Sequence, residues 1–173
     1  GSMTYGWIGR ILRVDLTKRV ISIGKTDDYL PDYLGGRALE TFRNVYPTYA
    51  VDDILDRRPL SCARALSDTS HFHIDLEGRY IPGLCAGLAV AMEDLGGLLP
   101  SGKYPLLERL VSNGVRGLYD LACQDFGYRP QREDYLNHCD LCTDIRHHLA
   151  RSGKGAFEEL APTGFYAEPP LSV

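Results

Sequence analysis

The chain has 173 residues, of which 44% are hydrophobic and 24% charged, and its formal net charge is −4. This is an ordinary soluble globular composition, enough for one domain or two small ones. The acidic balance gives no electrostatic reason to expect nucleic acid or an anionic membrane as partner, and the longest apolar run, Leu84–Met92, falls far short of the roughly 20 residues that span a bilayer.

Gly1-Ser2-Met3 reads as a tag remnant, and no secretory signal is expected. Trp7–Val14 alternates loosely, Asp15–Arg19 is a short polar turn, and Val20–Ile23 is β-rich, which predicts a β-hairpin. Thr26-Asp27-Asp28 offers caps for a short helix through Leu34, closed by Gly35-Gly36. A second helical stretch is expected over about Ala38–Tyr46. Two stretches here, Tyr5-Gly6-Trp7-Ile8-Gly9-Arg10-Ile11-Leu12-Arg13-Val14-Asp15-Leu16-Thr17 and Tyr33-Leu34-Gly35-Gly36-Arg37-Ala38-Leu39, resemble the start of tungsten-containing aldehyde ferredoxin oxidoreductases. That resemblance implies the opening of a β-rich domain. The glycine- and arginine-rich loops that hold a tungsten pterin in that family have no counterpart here, so the pterin is not expected.

Residues 47–59 carry Pro47 and Pro59 at their ends and Asp52-Asp53 between, and read as a linker with one helical turn around Val51–Leu55. The chain thus divides into an element over 1–46, a linker over 47–59, a Cys-rich domain over 60–166 and a tail over 167–173. The fold class expected is α+β: an N-terminal β-hairpin element, then a mainly helical domain with one further β-hairpin. That hairpin is His71–Leu76 returning through Arg79–Ile81, with Glu77-Gly78 as the turn. Phe72, Ile74 and Leu76 share one face, and His71, His73 and Asp75 the other. Pro82-Gly83 delivers Cys85. Ala86–Asp94 predicts a buried helix. Pro105–Val111 and Val115–Phe126 predict two helices separated by Asn113-Gly114. The paired His147-His148 is expected at the surface near a helix C-terminus.

His138-Cys139-Asp140-Leu141-Cys142 is the chain's single CxxC, within a helical pattern over Asp134–Ala150. Residues three apart share a helix face, so both thiols point inward with Tyr135, Ile145 and Leu149. Two thiolates on one face are half of a tetrahedral sulfur site. The five cysteines are an odd number, which argues against a disulfide framework and for a metal centre with one thiol left over, in the cytoplasm. The metal ligands expected are Cys62, Cys85, Cys139 and Cys142, with His71, His73 or His138 as alternatives for the fourth place. Cys123 is expected to be a buried thiol without metal. Spacing leaves one Zn2+ and one 4Fe-4S cluster equally open.

Four phrases in order, His71–Gly78, Ile81–Ala89, Cys139–Cys142, and Leu160-Ala161-Pro162 with Phe165-Tyr166, resemble the C-terminal auxiliary-cluster (SPASM-like) extension of radical S-adenosylmethionine proteins, over about residues 60–166. The resemblance implies an auxiliary iron–sulfur cluster. The CxxxCxxC of the radical-generating core is absent, so the chain is not expected to be an enzyme on its own. It implies electron transfer or docking to a redox, tungsten or radical enzyme partner. The alternatives are a reduced aldehyde ferredoxin oxidoreductase-like oxidoreductase and a metal-free interaction domain.

Overall fold

A computed structural model of the chain describes residues 10–15, 18–25, 43, 45–57, 61–83, 85–153, 156–162 and 164–167. The helix expected through Leu34, most of the one expected at Ala38–Tyr46, and the tail lie outside these residues. The chain separates into two compact units, 1–33 and 34–173. Both helices and small antiparallel sheets are present, as an α+β class requires.

The described part of the first unit is one hairpin. Strand β1 (Arg10–Asp15) pairs antiparallel with β2 (Val20–Lys25), from Arg10 opposite Lys25 to Asp15 opposite Val20. Arg19, in the turn, takes a left-handed φ of 53°. Val20, Ile21 and Ile23 are exposed.

The second unit is built on two helices. Its elements run in the order β3 (Tyr49–Ala50), α1 (Val51–Asp56), α2 (Ala63–Ser67), β4 (Phe72–Ile74), β5 (Tyr80–Pro82), α3 (Pro105–Phe126), β6 (Asp134–Tyr135), α4 (His138–Arg151) and α5 (Gly164–Ala167), and α3 and α4 are the two long helices. Residues 47–57, read from the sequence as part of a linker, are built into this unit. Tyr49 and Ala50 pair with Tyr135 and Asp134, and α1 buries Ile54 and Leu55 in the core. Apolar residues at both ends of a short polar helix are enough to anchor it.

Pro105 starts α3, where a missing N–H costs nothing. Glu159, from a distant loop, accepts from the Leu106 amide at 2.6 Å and so satisfies one of the helix's unpaired donors. Gly127 ends the helix with left-handed φ and ψ of 66° and 28°. The break expected at Gly114 exists, but as a kink: φ 60° and ψ −155° at this residue, after which the helix resumes. The kink lets Leu106, Leu107 and Leu110 before it and Val115, Leu118 and Ala122 after it all reach the core.

Two other expectations are corrected. Ala86–Asp94 is not a helix. Val90 bridges Tyr80 in extended conformation, with both backbone bonds made at 2.7 and 2.8 Å, and only Met92–Asp94 forms a single 3-10 turn. Leu88, Ala89 and Val90 are buried as expected, but a short run of small apolar residues suits a buried strand as well as a helix. The CxxC helix begins at His138 rather than Asp134. Asp134 and Tyr135 are spent on β6, and Asn137 caps the helix. The second hairpin, β4 with β5, forms with Phe72 opposite Pro82 and Ile74 opposite Tyr80. Among the described residues no helix is long and apolar enough to cross a membrane.

Candidate metal centre

Three segments deliver the four cysteines. Cys62 precedes α2, its carbonyl accepting from Leu66 N at 2.9 Å. Its own amide donates to the Leu110 carbonyl of α3 at 2.9 Å, and the neighbouring Ser61 hydroxyl donates to Val111 O at 2.5 Å. This segment is therefore tied to α3 just before the kink. Cys85 sits in a tight turn after β5, its amide donating to Pro82 O and its carbonyl accepting from Leu88 N, both at 3.0 Å. Cys139 lies in the first turn of α4 and Cys142 at the start of the second. The Asn137 side chain accepts from the amides of Cys139 at 2.9 Å and Asp140 at 3.0 Å, which fixes the start of the helix and with it the direction of both thiols.

Cys62, Cys85 and Cys142 each feel at least one other thiol of the four. Burial raises the Cys62 pKa far above its ordinary value, and Cys142, Cys139 and Cys85 raise it further, while Arg146 opposes them. Burial likewise pushes Cys85 up to about 12, with Cys139 and Cys142 adding to it and Arg146 opposing. Cys142, which is buried, is raised by burial and by Cys139 and lowered by Arg146. Without a metal the site therefore favours protonated thiols, and a metal taking thiolates would release those protons. None of the five described cysteines forms a disulfide.

Arg146 lies four residues after Cys142, one helical turn along the same face. It is only 3% exposed. Its Nη1 donates to Ala86 O at 2.7 Å and to the Tyr166 hydroxyl at 2.9 Å, and its Nη2 donates to Thr143 Oγ1 at 3.1 Å. These three acceptors are neutral, and the Cys142 thiol is a further hydrogen-bond partner. The Arg146 Nε is buried without a partner, as are those of Arg43 and Arg132. Among the described residues no carboxylate lies within ion-pair distance of it. Burial opposes its charge, but Tyr166, Cys142 and Cys85 outweigh that effect and leave its pKa raised. A buried guanidinium with neutral partners and an orphaned donor, set against thiols, is suited to an anionic sulfur-ligated group.

The surroundings are closely built. The Tyr166 hydroxyl donates to Gly87 O while accepting from Arg146. Gly87 has a φ of 85°, and a Cβ there would stand 2.5 Å from the Phe165 ring and 2.6 Å from the Tyr166 oxygen. Only glycine allows the Cys85 loop to approach α5 so closely.

The other residues singled out in the sequence lie elsewhere. Cys123, half-buried on α3, interacts with Tyr119 and is not among the groups acting on the four thiols. His71 and His73 lie exposed on the β4 hairpin and are absent from those groups too. His138 occupies the first position of α4 and is half-buried. His147 and His148, expected at the surface, are both half-buried. His148 Nε2 meets Phe126 O at 3.0 Å, and His147 packs between Phe165 and Tyr166. Sequence reasoning overlooked Arg146, Asp140 and Asn137. The first was legible as a cation one turn beyond the CxxC, and the last as a cap residue just before it.

Among the described residues no three His, Cys, Asp or Glu side chains stand close enough to hold one metal ion. A single zinc with Zn–S bonds of about 2.3 Å needs sulfurs about 3.8 Å apart. A four-iron cluster takes one thiolate on each of its irons and so accepts a wider set. Thiols are the donor type that either centre takes, and Arg146 is buried against three of them. No family model matches this sequence, and no curated protein or solved structure is significantly similar to it.

Proposed function

We propose that residues 60–166 form a metal-binding accessory domain whose centre is a 4Fe-4S cluster held by Cys62, Cys85, Cys139 and Cys142, and that it serves electron transfer to, or docking on, a redox enzyme partner in the cytoplasm. The observation that carries this reading is Arg146, a buried cation against the thiols whose described hydrogen-bond acceptors are all neutral. Four thiolates around the usual cluster core leave a net negative charge, which such a cation offsets. The resemblance of residues 60–166 to an auxiliary-cluster extension favours the cluster over a single zinc. A cluster bound here would supply one-electron chemistry.

The chain's own part is positional. Asn137 aims the CxxC, the Cys62–Leu110 backbone bond fixes the second arm, and Gly87 lets the third approach. Five thiols without a disulfide among the described residues suit a reducing compartment. Iron and acid-labile sulfide assays with a visible spectrum, on protein purified without oxygen, test the proposal. Four irons, four sulfides and a brown chromophore per chain are expected. A colourless protein with one zinc overturns the redox role.

A further inference from the structure

We propose that His71 and His73 form a second metal site on the surface, a bidentate imidazole pair for a divalent first-row transition ion such as Zn2+, separate from the thiol centre. The inference stands on how the hairpin mounts the two rings. His73 lies in β4 and His71 in the bend just before it, and the two rings meet edge to face. Phe72, between them, turns to the opposite face, where it stacks on Tyr80 with ring centroids 5.4 Å apart. Strand β4 is flanked by side-chain-capped turns. Before it, Asp68 Oδ1 accepts from Ser70 N at 2.9 Å; in the turn to β5, Asp75 Oδ1 accepts from Glu77 N at 3.0 Å and Arg79 N at 2.8 Å.

On this frame the two Nε2 atoms stand 3.2 Å apart. Two imidazoles on one tetrahedral zinc, with Zn–N of about 2.0–2.1 Å, need a separation of about 3.3–3.4 Å. The rings are nearly perpendicular, at 87°, with centroids 4.8 Å apart. Two rings joined head-on through a linear N–H···N bond would have their centroids further apart, so the nitrogens converge at an angle instead. Water competes freely for both groups, and a hydrogen bond between two exposed side chains gains little there. A divalent ion gives this convergence an energetic reason, and imidazole suits zinc, copper and nickel. Two protein ligands leave the remaining coordination positions to water or to an incoming group.

The ring-nitrogen NMR signals of the intact protein, titrated with Zn2+, report on each histidine directly and are blind to zinc taken by the thiols. The His71 and His73 signals should shift together and saturate at one equivalent beyond any taken by the thiols. In parallel calorimetry, His71→Ala and His73→Ala should each weaken this step by at least the ~10–100-fold that loss of an outer-shell partner costs. If zinc binds while both ring signals stay in place, or if either variant binds as the wild type does, the site does not exist.

Discussion

Helix α4 buries two opposite charges, and it treats them differently. Asp140, inside the CxxC and 1% exposed, is surrounded by protein partners: Arg43 at 2.9 Å, Arg132 at 2.8 Å and the Leu136 amide at 3.0 Å. Arg146, further along the same helix, has neutral acceptors and, among the described residues, no carboxylate within ion-pair distance. The first charge is balanced by the polypeptide itself. The second is balanced only if the thiols beside it become thiolates. A buried charge with complete partners marks architecture, whereas one with incomplete partners points to something the fold is built to hold.

The contrast makes predictions, of which the largest concerns Arg146. Arg146→Met should destabilise the cluster-loaded protein by about 3–5 kcal/mol, because it strands an uncompensated buried charge. The metal-free protein should lose much less, since there the substitution also removes an unpaired cation. Denaturant titrations of both forms measure the difference, and equal losses would erase the distinction between the two charges.

Asp140→Ala should cost about 3 kcal/mol in both forms alike. Its two arginines are 32% and 28% exposed and can turn to water, so the lasting penalty falls on the Leu136 amide. A loss confined to the loaded form would make Asp140 part of the centre. Gly87→Ala should cost about 1–3 kcal/mol by overpacking against Phe165 and Tyr166, and an unchanged melting temperature would contradict the close approach.

A further effect is on pH dependence. Burial, helped by Arg151 and Arg146, lowers the His147 pKa from its ordinary 6.5 to about 4. In the unfolded chain the ring takes up a proton below pH 6.5, whereas in the folded protein it resists until about pH 4. Its contribution to stability is therefore present above pH 6.5 and is lost as pH falls toward 4. His147→Gln should flatten that slope, as urea midpoints measured across this interval would record.

The same helix illustrates what could be read in advance. Both hairpins follow from alternation and turn residues, and the inward direction of Cys139 and Cys142 follows from helical spacing. Asp140 and Arg146 were not legible as buried groups. Charged residues on an amphipathic helix normally face water, and only long-range partners such as Arg43 and Ala86 reverse that. Leu88–Val90 went wrong for a related reason. Its strand pairing is decided by Tyr80 and by the Glu159 carbonyl, which bonds Ala89 N at 2.9 Å, and neither is local.

The wide separation of the cysteines along the chain also has a consequence for biosynthesis. At about 5–20 residues per second, Cys142 is synthesised roughly 3–11 s after Cys85, and Arg146 follows it. During that interval Cys62 and Cys85 exist on the nascent chain without the helix that would complete the proposed set. The proposed centre can be completed only once α4 has emerged, and any machinery that loads it must act after that point.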